Sequence, residues 1–201
     1  KREKRLMGCH LRGLIAGIDE AGRGPLAGPV VASCVVWDRV PEDICGVNDS
    51  KLLDKKVREE LFQWIKENAY ALGIGIADNK EIEEMNILKA SLLSMKRALN
   101  DAGLQPDLIL IDGNHGIKGF YQSKPVIKGD KKCFFIACAS IISKVTRDRI
   151  MEAYHETFPQ YNFKENKGYP TKEHILAIKR FGITPIHRKT FRGVKEYIDH
   201  H

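Results

Sequence analysis

Two apolar runs near the start of the chain constrain the fold most, because only a short glycine-rich link joins them. Residues 14–19 and 29–37 are rich in Ile, Val and Ala, and glycine and proline punctuate the link between the two runs. Apolar runs of this length are typical of buried strands, and a short connection favours antiparallel pairing. The sequence therefore predicts two adjacent antiparallel strands in this region.

The first run ends in two neighbouring carboxylates, Asp19 and Glu20, which precede the tripeptide Gly22-Arg23-Gly24. Burial of one unpaired carboxylate is costly, and two neighbouring carboxylates repel each other. A bound cation would relieve that repulsion, whereas a surface turn would leave both acids solvated. The glycines would let the backbone approach a ligand closely beside one fixed positive charge. The segment alone leaves both interpretations open.

Patterns of strand and helix alternate along the rest of the chain, as is typical of an α/β fold. Further strands are predicted over residues 70–77, 107–112 and 125–128, and helices after an N-cap at Asp54, over 80–99, from near Asp130 toward Phe158, and from Thr171 through Phe181. Gly73 and Gly75 within the third strand indicate a bulge or a close approach by another segment. We predict a mixed sheet flanked by helices, followed by a helical C-terminal third.

Four acids stand at the ends of these predicted elements: Asp19, Glu20, Asp112 and Asp130. If the first and fourth strands are neighbours, their carboxyl ends bring the first three acids together. Oxygen ligands without His or Cys favour Mg²⁺ or Mn²⁺ over zinc. Two such ions can hold the attacking and leaving oxygens of an in-line phosphodiester displacement. The pattern is consistent with a metal-dependent nuclease.

Each of the later acids also has a purely structural interpretation. Asp112 precedes Gly113, which is common in turns at strand ends, and Asp130 suits the N-cap of the following helix. Asp148 is a fifth candidate, but it lies four residues after Lys144 on a predicted helix, so we expect a surface ion pair there.

Composition narrows the possible functions further. The 201 residues carry a formal net charge of +7, which favours a polyanionic partner such as nucleic acid or an anionic membrane surface. No apolar run reaches the roughly 18 residues that a membrane span needs. The five cysteines have no zinc-binding spacing, and their odd number suits a reducing compartment, so we predict a cytoplasmic protein.

Five segments of the chain resemble type 2 ribonuclease H (ribonuclease HII). They are residues 17–32; 48–51; 111–113; 128–130 with 139–149; and 166–174 with 185–188. The resemblance runs in order from about residue 14 to about residue 191. It implies a ribonuclease H-like fold, with a five-stranded mixed sheet flanked by helices and a helical C-terminal part.

The resemblance also implies an activity and a catalytic set. Such enzymes hydrolyse the RNA strand of RNA–DNA hybrids and cut 5′ of ribonucleotides embedded in duplex DNA, leaving 3′-hydroxyl and 5′-phosphate ends. By position, Asp19, Glu20, Asp112 and Asp130 would be both the catalytic residues and the ligands of two divalent ions, Mg²⁺ or Mn²⁺. The resemblance therefore also implies that the protein is a hydrolase that acts in ribonucleotide excision repair.

Recognition of the sugar is implied for two further segments. Gly22-Arg23-Gly24 would contact the 2′-hydroxyl of the ribonucleotide, and Tyr169 would pack against the sugar of the next deoxynucleotide. The 2′-hydroxyl is the group that distinguishes RNA from DNA. A site built to hydrogen-bond that hydroxyl is left unpaired by deoxyribose, which penalises the wrong sugar strongly.

The last expectations concern domain boundaries, phosphate contacts, binding partners and differences from the family pattern. We predict a catalytic domain over residues 13–158 and a helical and loop part over 159–201 that contributes to the substrate site. Possible phosphate contacts are Lys51, Lys144, Arg147 and Lys172. We expect a monomer whose partners are RNA–DNA hybrid and ribonucleotide-containing DNA. Departures from the family pattern are Leu52-Leu53-Asp54 in place of Lys-Leu-Ser after the Ser-Lys pair, and Pro170 after the tyrosine.

Two other classes of function remain open at this point. The chain could be another nuclease of the same fold, such as a junction resolvase or a type 1 ribonuclease H, although the Gly-Arg-Gly tripeptide argues against both. It could also be a non-catalytic hybrid-binding protein or a basic RNA-binding domain. Cleavage and binding measurements on matched duplexes separate these alternatives.

Overall fold

A five-stranded mixed sheet forms the centre of the protein in the computed structural model, which describes residues 12–41, 54–114 and 123–198. The strands are β1 (Ile15–Ala21), β2 (Val30–Trp37), β3 (Ala71–Ala77), β4 (Leu108–Asp112) and β5 (Ser123–Val126). Their order is β3-β2-β1-β4-β5. β2 pairs antiparallel with β1 and β3, whereas β4 pairs parallel with β1 and β5. The predicted mixed sheet is confirmed.

Six helices surround the sheet in the described ranges. They are α1 (Lys55–Asn68), α2 (Asn79–Met85), α3 (Ile87–Asp101), α4 (Phe134–Thr157), α5 (Phe163–Asn166) and α6 (Lys172–Phe181). The Asp54 carboxylate accepts a hydrogen bond from the Val57 N–H at 2.8 Å, so the predicted N-cap of α1 is confirmed. The Thr171 hydroxyl likewise caps α6 by accepting from the His174 N–H at 3.2 Å.

Two helix predictions were wrong in their boundaries. The helix predicted over residues 80–99 is interrupted at Asn86, which has φ of 72° and whose side chain accepts hydrogen bonds from the first N–H groups of α3. Its two halves keep the same apolar periodicity, so the pattern did not reveal the break. The long helix begins at Phe134, because Asp130 lies in a separate 3-10 turn, Gly129–Lys131, and does not cap α4.

The core lies on both faces of the sheet. On one face, α4 packs against β1 and β2 together with α1, and the apolar side chains of the first half of α4 are buried on all sides. On the other face, α3 packs against β3 and β2. Backbone atoms of α3 approach Gly73 and Gly75 so closely that a β-carbon at either position would collide with them. The predicted close approach to the third strand is therefore confirmed.

Residues after α4 pack against the link between β1 and β2. Leu26 and Ala27 from that link share a buried cluster with Tyr161, Phe163 and the apolar side of α6. The segment 186–188 runs alongside the same link, since Gly28 N–H donates to the Ile186 carbonyl at 2.9 Å and Arg188 N–H donates to the Leu26 carbonyl at 2.8 Å. The C-terminal part is therefore positioned at the edge of the sheet that carries the acids.

Within the described ranges, no helix combines the length and the apolar character that a membrane span requires.

Candidate active site

Three of the four candidate acids meet at the carboxyl ends of β1 and β4. The two strands are parallel neighbours with Ile18 opposite Ile111, which places Asp19 and Asp112 side by side at the next position. Asp19 is only 6% exposed. Its carboxylate also receives a hydrogen bond from the Ser140 side chain on α4. The condition stated for the meeting of these acids, that the first and fourth strands are neighbours, is thus met.

Burial and mutual repulsion raise the pKa of two of these carboxyl groups, Asp19 and Glu20. The pKa of Asp19 is raised well above its ordinary value by burial first, and then by the neighbouring charges of Glu20 and Asp112. Burial also raises the pKa of Glu20, while Arg23 opposes this shift and Asp112 adds to it. Such a cluster of oxygen donors fits a hard divalent cation, because the cation would offset the repulsion that burial intensifies.

Local hydrogen bonds hold the acids in place. Asp19 accepts from the Glu20 N–H at 2.7 Å, and Glu20 lies 3.3 Å from the Arg23 guanidinium. Asp112 accepts from the Gly129 N–H at 2.7 Å, which fixes the start of the turn that carries Asp130. Asp130 is 4% exposed.

The full ligand set is not assembled in this arrangement. Among the described residues, no three His, Cys, Asp or Glu side chains already lie where they would jointly hold a metal ion. Electrostatic contacts join Asp19, Glu20 and Asp112. Gly129, the residue before Asp130, donates its N–H to Asp112, so the turn that carries Asp130 is tied to this group.

The tripeptide Gly22-Arg23-Gly24 and Tyr169 lie next to each other beside the acids. A β-carbon on Gly24 would sit 3.5 Å from the Tyr169 ring. Tyr169 is 43% exposed although it stands between the buried Gly168 and the start of α6. Gly22 has φ of 100°, a backbone conformation that side chains disfavour. Tyr169, which is distant in sequence, thus lies against the Gly-Arg-Gly turn.

The candidate phosphate contacts divide into three groups. Lys51 lies outside the described residues. Lys172 is exposed in the first turn of α6, and Lys144 is half-buried and paired with Asp148 at 2.7 Å, the ion pair expected from their spacing. Arg147 is 1% exposed and donates to the backbone carbonyls of Ala27, Pro29 and Lys167. Its guanidinium is directed into the protein, so this arrangement gives no support to the phosphate contact expected there.

Three buried residues with no predicted role support the Gly-Arg-Gly turn and Tyr169. They are Arg188, His174 and His187. Arg188 donates to the carbonyls of Gly22 at 2.6 Å, Arg23 at 3.0 Å and Gly28 at 3.0 Å. Because their hydrogen-bond partners lie far away along the chain, no local pattern predicts a role for these three residues. Only their presence in the segments that resemble the family indicated that they matter.

His187 and His174 form a chain of hydrogen bonds. A backbone N–H at one end of the chain determines which ring nitrogens carry protons. The Thr184 N–H donates to His187 Nδ1 at 2.9 Å, so this nitrogen carries no proton and His187 Nε2 carries one. His187 Nε2 then donates to His174 Nε2 at 3.0 Å, which leaves His174 Nδ1 to donate to the Tyr169 carbonyl at 2.9 Å. Both imidazole rings must be neutral for these hydrogen bonds to form. The last hydrogen bond, from His174 to the Tyr169 carbonyl, fixes the backbone of Tyr169.

We expect this neutral pair to make the protein sensitive to acid. Burial, together with the facing His174, lowers the pKa of His187 to about 3. The unfolded state binds a proton below about pH 6.5, so stability falls as the pH drops from there toward 3, by about 2 kcal/mol at pH 5. Thermal melts from pH 7.5 to 4.5 should show a shallower decline for His187→Gln than for the wild type. The same substitution at His155 is the control, and parallel profiles for wild type and His187→Gln would contradict the assignment.

Comparisons with known proteins agree with this arrangement. The family model described as Ribonuclease HII matches residues 16–194. The chain belongs to the ribonuclease HII family. It is 56% identical over 178 residues to Ribonuclease HII of Clostridioides difficile (strain 630), covering 88% of this chain and 69% of that relative.

Solved structures share the fold. The ribonuclease H2 from Pyrococcus horikoshii OT3 superposes with a TM-score of 0.74 at 29% identity, covering 92% of this chain and 96% of that one. Bst-RNase HIII, crystallised in complex with Mn²⁺, gives a TM-score of 0.68 at 19% identity, covering 92% of this chain and 69% of that one. The predicted ribonuclease H-like fold is confirmed.

Ribonuclease HII enzymes are endonucleases that cleave the RNA of RNA–DNA hybrids and ribonucleotides within DNA, and family membership assigns this activity to the chain. The expectation of a hydrolase with ribonuclease H activity is confirmed. The alternatives of a non-catalytic hybrid-binding protein and of a basic RNA-binding domain are thereby excluded.

Proposed function

We propose that Asp19, Glu20, Asp112 and Asp130 hold two divalent ions, Mg²⁺ or Mn²⁺, and are the catalytic residues of this chain. The observation that carries the proposal is the meeting of the buried Asp19 with the half-buried Glu20 and Asp112, which repel it, at the ends of two parallel strands. The burial of Asp130 beside the amide that donates to Asp112 supports its inclusion.

The bound ions would supply charge stabilisation for the phosphate and orient the reacting oxygens. The residues of the chain have their own tasks. Asp19, with its place fixed by the Glu20 N–H and by Ser140, would hold an ion. Glu20 is restrained by Arg23, and the Asp112 carboxylate is held by the Gly129 N–H, so both would offer oxygen ligands from restrained positions.

Recognition of the substrate sugar is proposed for the neighbouring turn. Gly22-Arg23-Gly24 contacts the 2′-hydroxyl of the ribonucleotide, and Tyr169 packs against the sugar of the next deoxynucleotide. The contact between Gly24 and Tyr169 and the exposure of the tyrosine ring support these roles. Cleavage then occurs 5′ of the ribonucleotide and leaves 3′-hydroxyl and 5′-phosphate ends.

The C-terminal part, surface lysines and cysteines complete the proposal. Residues 159–201 contribute to the substrate site, as the packing of 186–188 on the β1–β2 link suggests. Lys51, Lys144 and Lys172 remain proposed phosphate contacts. The substrate is RNA–DNA hybrid or ribonucleotide-containing DNA bound by a monomer. The three described cysteines, Cys34, Cys133 and Cys138, are buried free thiols, which suits a cytoplasmic location.

Cleavage of four matched duplexes tests the proposed function: DNA with one ribonucleotide, RNA–DNA hybrid, all-DNA and all-RNA. We expect cutting of the first two only, with 5′-phosphate products, and loss of cutting in EDTA that added Mg²⁺ or Mn²⁺ restores. Equal cutting of the all-DNA duplex would indicate another nuclease of this fold. Cutting that persists in EDTA would contradict the proposed metal site.

A further inference from the structure

We propose that Arg188 is a positioning residue that aims the backbone N–H groups of Arg23 and Gly24 at the substrate sugar, and that it thereby determines the preference for ribose. The inference rests on the proposed contact between Gly22-Arg23-Gly24 and the 2′-hydroxyl. Arg188 itself lies beneath the turn and is fully buried, so it acts through the backbone and not by touching the nucleic acid.

The hydrogen bonds of Arg188 fix two successive peptide planes. One terminal nitrogen donates to the Gly22 carbonyl at 2.6 Å and the other donates to the Arg23 carbonyl at 3.0 Å. The C=O and the N–H of a planar trans peptide point in opposite directions. A Gly22 carbonyl held inward therefore turns the Arg23 N–H outward, and an inward Arg23 carbonyl does the same for the Gly24 N–H.

The outward N–H groups are placed where a ligand can reach them. Arg23 and Gly24 are both exposed, whereas Gly22 beneath them is buried. Within the described part of the chain, neither the Arg23 N–H nor the Gly24 N–H donates to a backbone carbonyl. Two aligned donors beside the exposed Tyr169 ring form a suitable partner for a sugar hydroxyl.

A guanidinium is the side chain that this task requires. The third donor of Arg188, Nε, binds the Gly28 carbonyl at 3.0 Å, so both ends of the 22–28 link are tied to one rigid plane. The Phe191 ring lies 5.1 Å from the centre of the guanidinium and orients that plane. A lysine at this position keeps a positive charge but cannot hold three carbonyls in fixed directions.

Arg147 provides a matched comparison within the same protein. It is also a buried arginine, and it donates to three backbone carbonyls, those of Ala27, Pro29 and Lys167. None of these carbonyls belongs to residues 22–24. Arg147 also packs against Gly22 and lies 6.0 Å from the Tyr169 ring centre. Arg147→Lys nevertheless removes no hydrogen bond to the Gly22 or Arg23 carbonyl, so both peptide planes stay tied to Arg188.

The test measures sugar discrimination in active enzymes carrying Arg188→Lys or Arg147→Lys. Steady-state cleavage of a duplex with one ribonucleotide gives KM and kcat, and an unlabelled all-DNA duplex of the same sequence gives KI as a competitor. We expect Arg188→Lys to lower the ratio of KI to KM at least about tenfold with little change in KI, because phosphate contacts remain. Arg147→Lys should keep the ratio within about threefold of wild type.

The outcomes separate positioning from a general structural role. An unchanged ratio in folded Arg188→Lys protein, or an equal fall in both variants, would overturn the inference. If Arg188→Lys does not fold, the ratio of KI to KM is measured for Phe191→Leu instead. This substitution removes the ring that orients the Arg188 guanidinium but leaves all its hydrogen-bond donors in place. A lowered ratio supports the inference, and an unchanged ratio rejects it. A wild-type ratio near one would instead refute the proposed sugar recognition itself.

Discussion

Replacement of Asp19 by asparagine should abolish cleavage and at the same time stabilise the metal-free protein at neutral pH. Loss of one ligand at a site for two ions should lower kcat by about a thousandfold or more. The stabilisation follows from the raised pKa of the buried Asp19 carboxyl group, which shows that its charged form is disfavoured in the folded state. Cleavage assays and thermal melts in EDTA measure the two effects.

The sign of the stability effect depends on pH in a defined way. Between the unfolded and the raised folded pKa of Asp19, the folded state binds more protons, so the free energy of unfolding falls as the pH rises. The gain from Asp19→Asn should therefore be absent near pH 4 and grow as the pH rises toward neutrality. Mg²⁺ should stabilise the wild type more than the variant, because the variant has lost a ligand.

An exposed acid provides the control for this prediction. Asp101 accepts a hydrogen bond from the Ile74 N–H at 2.8 Å on the outer side of the sheet. Asp101→Asn should retain cleavage and should not raise the melting temperature. A metal-free Asp19→Asn protein that melts below the wild type at pH 7 would show that the carboxylate stabilises the fold, and would contradict the charge repulsion inferred here.

Alanine at Gly17 and alanine at Gly24 should have opposite consequences. A β-carbon on Gly17 would collide with the backbone of Phe135, where β1 crosses the first turn of α4. Backbone atoms cannot move aside without shifting the helix, so we expect Gly17→Ala to cost about 3 kcal/mol or more in stability. Chemical denaturation at one pH measures this loss.

Gly24→Ala is the matched substitution on the same chain segment. Its β-carbon would meet only the Tyr169 ring at 3.5 Å, an ordinary van der Waals distance, so the fold should keep its stability within about 0.5 kcal/mol. The added methyl group would stand where the sugar approaches the turn, and we expect kcat/KM to fall at least about tenfold. Equal stability losses in both variants, or full activity in Gly24→Ala, would contradict the assignment of these two glycines.

The sequence was most informative where a local pattern carries the structural cause. Asp54 and Thr171 cap helices because a side-chain oxygen near a helix start satisfies free N–H groups, and both caps could be predicted. The neighbouring positions of Asp19 and Asp112 followed from two apolar runs that both end in an acid. The break at Asn86 could not be predicted, because the apolar spacing continues unchanged across a single residue with positive φ.

The interior polar contacts were the least predictable part of the site. Arg147 lies among polar residues on a long helix, and nothing nearby in the sequence shows that its partners are carbonyls more than a hundred positions earlier. His174 and His187 find each other only after α6 and the following loop have folded. Resemblance to the family indicated the segments that contain Arg188 and these histidines but not their tasks.

The pairing of residues 186–188 with the β1–β2 link sets an order of events during synthesis. Chains emerge from the ribosome N-terminus first, so β1, β4 and their acids exist before Arg188 can dock. The proposed metal ligands and the residue that supports the proposed sugar contact are therefore synthesised at different times. A nascent chain that ends before Arg188 would carry the four acids while the Gly-Arg-Gly turn still lacks its hydrogen bonds from Arg188.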